Sequence, residues 1–140
     1  PHVIIGARAT ICVHGRIQSH AVISSGAIVD HDAKIGCGAF LHPAVRLAGN
    51  VEIGDEAVVE IGACVVPGRK IGPRARVRAG SVVIAHVKPD ETVMGVPAVP
   101  VASGAGQFIP DAGEPVETGT SAADARVGGA KIVAGPRVFA

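Results

Sequence analysis

An all-β fold is the architecture that this sequence predicts, and three observations lead to it. Aliphatic residues recur at every sixth position over fourteen consecutive repeats, from Ile5 to Val83. Four positions after each of them, the residue is nearly always small. Aromatic residues make up only 2% of the chain, although 48% of its residues are hydrophobic. A core of Val, Ile, Leu and Ala without large rings indicates uniform, repetitive packing.

The six-residue period matches neither the 3.6-residue period of an α-helix nor the two-residue alternation of an ordinary strand. It corresponds to one short strand and one turn per repeat, and three repeats close a triangular coil of about 18 residues. Residue i then lies beside residue i+18 of the next coil, in parallel ladders about 4.8 Å apart. The repeats amount to about four and two-thirds coils, which gives a prism roughly 22 Å tall.

Each aliphatic residue is expected to face inward and to stack on its counterparts in neighbouring coils. One interior column is predicted to consist of Ile5, Ile23, Leu41, Val59 and Val77. The small residue four positions later fits the narrow part of the interior, where Arg69 and Val87 are poor fits. The 19 Gly and 10 Pro residues agree with a fold that contains many turns.

Charge and cysteine content argue against several function classes. The formal net charge of +1 shows no large excess of basic residues, which disfavours binding to nucleic acid or to an anionic membrane surface. No apolar run is long enough to span a bilayer, and we expect no secretory signal. The three Cys residues lack CxxC spacing, which disfavours a disulfide framework or a zinc site and favours a reducing, cytoplasmic setting.

The hexad pattern over residues 5–98 resembles the hexapeptide-repeat proteins, which implies a left-handed parallel β-helix. The stretch "GAIVDHDAKIG" at 26–36 resembles the branch of sialic-acid O-acetyltransferases and bacterial amino-sugar N-acetyltransferases. The resemblance implies an acetyltransferase that moves an acetyl group from acetyl-CoA to a hydroxyl or amine of a sugar or nucleotide sugar. It also implies a homotrimer, and the N-terminal nucleotide-sugar domain of many members is expected to be absent.

The end of the prism is predicted from turn residues and from the same resemblance. Pro89 and Asp90 are expected to end the last coil. Gly95-Val96-Pro97-Ala98 resembles the G-x-P-A motif that closes the family's β-helix. We therefore divide the chain into a β-helix acetyltransferase domain, 1–98, and a Gly/Ala/Pro-rich C-terminal tail, 99–140. The tail is interpreted either as flexible or loosely docked, or as an extension that packs on a neighbouring subunit.

The resemblance assigns the catalytic roles to three residues. The histidine matching His31 is the family's general base, and the acidic residue matching Asp32 orients it. A neutral imidazole suits proton removal from an attacking hydroxyl or amine at pH 7, and a carboxylate fixes its tautomer. The family's oxyanion donor is a backbone N–H one coil later, which corresponds to Gly49 in "LAGNVEIG". A glycine there allows a ligand to approach the backbone closely.

Further site positions follow from the resemblance. The cofactor is expected against the backbone of Gly49, Ile61, Gly62, Ala79 and Gly80. Ser24 and Phe40 replace the Asn and His that the family often carries at its substrate-binding positions, and His42 lies at a different hexad position. We keep all three, Ser24, Phe40 and His42, as candidate substrate-binding residues.

The basic run "GRKIGPRARVR" contains Arg69, Lys70, Arg74, Arg76 and Arg78. It is interpreted either as a corner stripe of cations for the phosphates of coenzyme A or as a solvated surface.

Two other functions stay open at this point. A catalytically silent β-helix scaffold is consistent with the departures at Ser24 and Phe40. A metalloenzyme like the γ-class carbonic anhydrases has the same fold but needs three imidazoles on one zinc, and the histidines here lack that family's spacing. We expect no resident metal and no nucleic-acid partner.

Overall fold

The computed structural model describes residues 2–102, 125–127 and 130–132. The chain divides into two compact units, Pro1–Ala105 and Gly106–Ala140. The first unit is a triangular prism whose coils stack through parallel strands. In the second, β17 (Ala125–Val127) and β18 (Ala130–Ile132) form an antiparallel pair. The expectation about the tail falls largely outside the described residues.

Three sheets form the sides of the prism, and almost every strand in them is two residues long. Face A contains β1 (Ile4–Ile5), β4 (Val22–Ile23), β7 (Phe40–Leu41), β10 (Val58–Val59) and β13 (Arg76–Val77). Face B contains β2 (Thr10–Ile11), β5 (Ile28–Val29), β8 (Arg46–Leu47), β11 (Cys64–Val65) and β14 (Val82–Val83). Face C contains β3 (Arg16–Ile17), β6 (Lys34–Ile35), β9 (Glu52–Ile53) and β12 (Lys70–Ile71).

The register follows the predicted 18-residue spacing, as in Ile23↔Leu41 and Leu41↔Val59. The second residue of each strand points inward, and the residue four positions later also lies in the core, as for Leu41 and Val45. Burying one such aliphatic side chain contributes about 1.5–3 kcal/mol. The fold class, an all-β left-handed parallel β-helix with 18-residue coils, is confirmed in its stacked parallel coils. Ile5 stacks on Ile23 but is 54% exposed, because no described coil covers it.

Two-residue turns join the strands and form three corners, named here by the faces that they connect. The AB corner includes 25–26, 43–44, 61–62 and 79–80; the BC corner includes 13–14, 31–32, 49–50 and 67–68. The second turn residue takes a positive φ whether it is a glycine, as in Gly62, or not, as in Asp32 and Asn50. The positive φ of Asp32 is therefore a property of the coil and carries no information about catalysis.

The last coil is two residues shorter than the others at the BC corner. Val87 pairs with Ile71 across 16 positions, and β15 (Thr92–Met94) pairs with β13 at the same offset. The imidazole Nδ1 of His86 accepts the Lys70 backbone N–H at 3.0 Å, a role that backbone carbonyls fill in the full coils. The poor fit of Val87 to the hexad has this physical cause.

The prism continues past Pro89 and Asp90, which were expected to end its last coil. Pro89 and Asp90 form an ordinary corner turn, after which β15 adds another strand to face A. The chain then reverses, and β16 (Val99–Pro100) pairs antiparallel with β15. Proline is tolerated in the turn because that position donates no ladder hydrogen bond. Over the described residues, no helix has the length and apolar character needed to cross a membrane.

Candidate functional site

The candidate site is centred on His31, the first turn residue of the BC corner between β5 and β6. Its backbone N–H donates to the Asp30 carboxylate at 2.7 Å, which fixes the start of the turn. Its Nδ1 lies 3.0 Å from the Asp32 carboxylate, and about half of each side chain is exposed. Because a carboxylate only accepts, Nδ1 carries the proton in the neutral imidazole and Nε2 keeps a free lone pair.

The two aspartates act on the imidazole by charge as well as by geometry. The hydrogen bond that His31 donates to Asp32 raises the pKa of His31 above its ordinary value; partial desolvation opposes this, and the Asp30 charge adds to it. The same hydrogen bond lowers the pKa of Asp32, and the nearby His14 contributes in the same direction. His14 Nδ1 lies 3.4 Å from the other oxygen of Asp32. The carboxylate of Asp32 is thus held between two imidazoles from neighbouring coils.

Gly49 lies directly against the His31 ring, one coil further along the prism. A Cβ placed on Gly49 would overlap the Nε2 side of the imidazole, so only glycine leaves room for the ring in this position. The next residue, Asn50, donates its N–H to the His31 carbonyl at 2.9 Å. Within the described residues the Gly49 N–H donates to no protein acceptor, although Gly49 is buried. A basic nitrogen and an uncommitted N–H therefore meet at the BC corner.

The other sequence-predicted positions lie at or beside the AB corner. Ser24 and His42 follow β4 and β7 and so stack one coil apart; the Phe40 and His42 rings are 4.6 Å apart. These positions are next to one another but do not contact His31 within one chain. At most about 20 Å of extended chain separates the two corners, which flank face B.

The expected cofactor positions at the AB corner also stack. Gly80 donates its N–H to the Ile61 carbonyl at 2.9 Å. The space beside Gly62 and Gly80 is open, since a Cβ on either would meet no atom within 4 Å. The Ala79 N–H, in contrast, is already donated to the Glu60 carboxylate at 3.1 Å. Only part of the backbone of this corner is therefore available to a ligand.

Face B, between the two corners, carries a shallow and mainly apolar depression of about 370 Å³. Its walls come from Ile28, Arg46, Cys64 and the corner residues 66–67. A second depression, of about 550 Å³, lies on face C and is polar. His14, Arg16, Asp32, Asn50 and Glu52 are among its walls. The His31 corner thus stands between an apolar and a polar recess.

The basic run does not form a corner stripe, which corrects the first interpretation. Because its 11 residues run from the BC corner over face C to face A, its cations point to different faces and corners. Most of them contact carboxylates: Lys70 with Glu52, Arg74 with Asp90, and Arg76 and Arg78 with Glu60. Arg69 alone of the five contacts none within 4 Å among the described residues, and its Nε atom is buried without a partner.

Sequence reasoning missed three residues that shape the site: Asp30, His14 and Glu60. The 18-residue offset could have indicated His14 as a neighbour of Asp32, since 14 and 32 share a column. The contacts of Glu60 depend on side-chain reach, which the repeat does not encode. Over the described residues no group of three or more His, Cys, Asp or Glu side chains is placed to hold a metal ion.

Solved structures with the same fold include acetyltransferases and acyltransferases. PerB from Caulobacter crescentus, in complex with CoA and GDP-perosamine, is 37% identical with a TM-score of 0.68; the match covers 73% of this chain and 52% of that one. The acetyltransferase domain of PglB from Neisseria gonorrhoeae FA1090, in complex with acetyl coenzyme A, is 29% identical with a TM-score of 0.55, over 72% and 52% of the two chains. The resemblance to hexapeptide-repeat sugar acyltransferases is therefore confirmed.

Sequence comparison gives a shorter match. The bifunctional protein GlmU of Geotalea uraniireducens (strain Rf4) is 34% identical over 67 residues, 48% of this chain and 14% of GlmU. No protein-family model matches the chain. Since this chain spans about half the length of the solved structures it matches, their whole activities do not transfer to it directly.

Proposed function

We propose that this chain is the catalytic β-helix of an acetyltransferase that moves an acetyl group from acetyl-CoA to an amine or hydroxyl of a sugar. One observation carries the proposal: the free Nε2 of His31 lies against Gly49, whose backbone N–H has no protein acceptor in the described part of the chain. The CoA, acetyl coenzyme A and GDP-perosamine held by PerB and PglB support this choice of donor and acceptor.

The reaction assigns a separate task to each group at the BC corner. His31 Nε2 takes the proton from the sugar nucleophile as its nitrogen or oxygen bonds to the thioester carbon. The carbonyl oxygen becomes an oxyanion and accepts a hydrogen bond from the Gly49 N–H. When the tetrahedral intermediate collapses, the C–S bond breaks and the CoA thiolate takes the proton from the imidazolium. Asp32 holds the ring and stabilises its cationic form.

The donor arm is proposed to cross face B toward the AB corner. The apolar recess suits the methylene and amide segments of pantetheine, and the space beside Gly62 and Gly80 is open to it. The Gly62 and Gly80 N–H groups are donated within the chain, so we assign Ile61, Gly62 and Gly80 to this groove through close contact with the backbone. Because Glu60 already accepts the Ala79 N–H, we assign Ala79 to this groove through its carbonyl and its small side chain. Ser24, Phe40 and His42 are proposed to contact the acceptor from this corner.

These acceptor positions lie on a different corner from His31, so one chain does not bring all the parts together. A homotrimer of parallel prisms would put the AB corner of one copy near the BC corner of another, and cyclic symmetry suits three equal faces. Light scattering at micromolar concentration should give the mass of a trimer. A stable monomer with full activity would contradict both the trimer and the shared site.

The decisive experiment is His31→Ala, assayed with acetyl-CoA and a panel of nucleotide-linked amino sugars. We expect kcat to fall by about 10²–10⁴, the usual contribution of a general base. Acetyl-CoA affinity measured by calorimetry should stay close to that of the wild type, because the cofactor is held elsewhere. His42→Ala is the matched control, a partly buried histidine beside the other corner, and should cost less.

The same two measurements separate the proposal from a silent scaffold. A scaffold would bind no acetyl-CoA, and neither histidine would affect any turnover. Wild-type turnover in His31→Ala, or a larger loss in His42→Ala, would remove His31 from the mechanism while leaving the fold assignment intact.

A further inference from the structure

Arg69 interrupts the interior of the BC corner. The residues four positions after the inward aliphatic residues of face B form a column at this corner, and Gly15, Ala33 and Val51 are its small or aliphatic members. Arg69 takes the next place in that column. An arginine here is costly in the isolated chain, because its buried Nε has lost water without gaining a partner.

The shortened last coil explains how so long a side chain is accommodated. In a full coil another residue would stack on Arg69, 18 positions later. That position is Val87, which instead pairs with Ile71 because the corner lacks two residues; the same offset of 16 puts the small Ala85 over Arg69. Beside Arg69, Gly68 has a φ of +70° and open space where a Cβ would point. The arginine therefore lies beside an open turn, as the other turn glycines Gly26, Gly62 and Gly80 also form.

Charge distinguishes Arg69 from its neighbours in the basic run. Four other cations of that run contact Glu52, Glu60 or Asp90. No ion pair forms between Arg69 and any carboxylate of residues 2–102. A guanidinium presents a planar fork of donors that matches a phosphate better than any other common anion. The missing partner is then an anion that comes from outside the chain.

We infer that Arg69 binds a phosphate group of a substrate at the shortened BC corner, an inference that rests on the proposed function. Arg69 lies one coil, about 4.8 Å, from the Gly49 level of the prism. The Gly68 N–H donates to the Gly49 carbonyl at 3.0 Å, which ties the two levels together. Both proposed substrates carry phosphates. Because the donor arm is proposed to carry those of coenzyme A toward the AB corner, the nucleoside diphosphate of the acceptor is the expected source.

The test compares the wild type with Arg69→Val, Arg69→Lys and the control Lys70→Val. Valine is the residue that the same column already carries at Val51, and Lys70 is an adjacent cation whose charge is paired with Glu52. Calorimetry would measure Kd for pyrophosphate, CoA, pantetheine and GDP. We expect Arg69→Val to weaken pyrophosphate binding by about 10-fold to 100-fold, with Arg69→Lys intermediate and Lys70→Val close to the wild type.

The ligand whose affinity falls together with that of pyrophosphate in Arg69→Val identifies the source of the phosphate. If the binding of CoA weakens and the binding of GDP and pantetheine does not, Arg69 binds the donor. If the binding of GDP weakens and that of CoA does not, Arg69 binds the acceptor. A wild type that binds pyrophosphate through Arg69, but neither CoA nor GDP, would refute the proposed function and leave the phosphate site standing.

Thermal stability gives a readout that a merely structural arginine would not produce. Arg69→Val should raise Tm by a few degrees, because it removes an unpartnered buried donor. A lower Tm with unchanged pyrophosphate binding would show that Arg69 only packs, and would overturn the inference. A drop in oligomeric mass with unchanged binding would assign Arg69 to a contact between copies, and would overturn it equally.

Discussion

The BC corner at Gly49 and the AB corner at Ala79 flank the same face and use the same turn, but they differ in the state of one backbone N–H group, that of the first turn residue. At the BC corner, Gly49 leaves its N–H uncommitted beside an imidazole. At the AB corner, Glu60 accepts the corresponding kind of N–H from Ala79, and its carboxylate also contacts Arg76 and Arg78. The backbone of the coil thus offers similar donors at each corner, and the side chains decide which donors a ligand can use.

Both corners depend on one interior, so the largest effect comes from breaking that interior. Leu41→Asp would put a carboxylate in a fully buried position with no partner, at a cost of several kcal/mol. We expect loss of the folded state, measured by circular dichroism and solubility, and with it the loss of both corners. The exposed neighbour Phe40→Asp is the control and should stay folded. A folded, soluble Leu41→Asp protein would show that the register is wrong.

Gly49→Ala tests the BC corner alone. The added methyl group would collide with the His31 ring and displace it from the thioester, so kcat should fall by about 10²-fold, the lower end of what a general base contributes. Gly26→Ala makes the same change at an AB corner turn, where the methyl meets nothing within 4 Å. It should lower stability through its positive φ but leave kcat nearly unchanged. Equal losses of kcat in the two variants would contradict the difference between the corners.

Asp32→Asn should have a smaller effect than Gly49→Ala at high pH, about 10-fold or somewhat more. His31 works as a base only when neutral, so activity is lost as pH falls through its pKa, which Asp32 holds above the usual value. Removing the carboxylate lowers that pKa, and the acidic limb of the kcat profile should move to lower pH. A limb that stays in place, or moves to higher pH, would show that Asp32 does not act on His31.

The interior of the fold was predictable because one short rule governs it. Inward residues at every sixth position, with small residues four later, determine the strands, the coil length and the stacking of Ile23 on Leu41. The rule fails only where the chain shortens. His86 supplies a side-chain acceptor for the Lys70 N–H, so the ladder continues without two residues, and no periodic pattern signals that substitution.

The site was predictable where its contacts follow from the 18-residue offset between neighbouring coils. The offset of 18 brings Gly49 beside His31, and the structure has them in contact. The catalytic roles came from resemblance, and they remain proposals. The ion pairs of the basic run were not predictable, because cations that are neighbours in sequence lie on different faces and corners of the coil. Which of them stays unpaired depends on whether a carboxylate such as Glu52 or Glu60 lies in the neighbouring coil.

The fixed length of the coil also limits how this gene can change in length. An insertion of 18 residues would return every later residue to its own face, whereas one of six would turn all of them onto the next face. Six residues added between His31 and Gly49 would move that glycine from the BC corner to the corner between faces C and A, although every strand could still form. The fold therefore tolerates insertions in multiples of six residues, whereas the site tolerates them only in multiples of 18. The one observed departure, the two residues missing near His86, lies after Gly80, where it displaces none of the site residues.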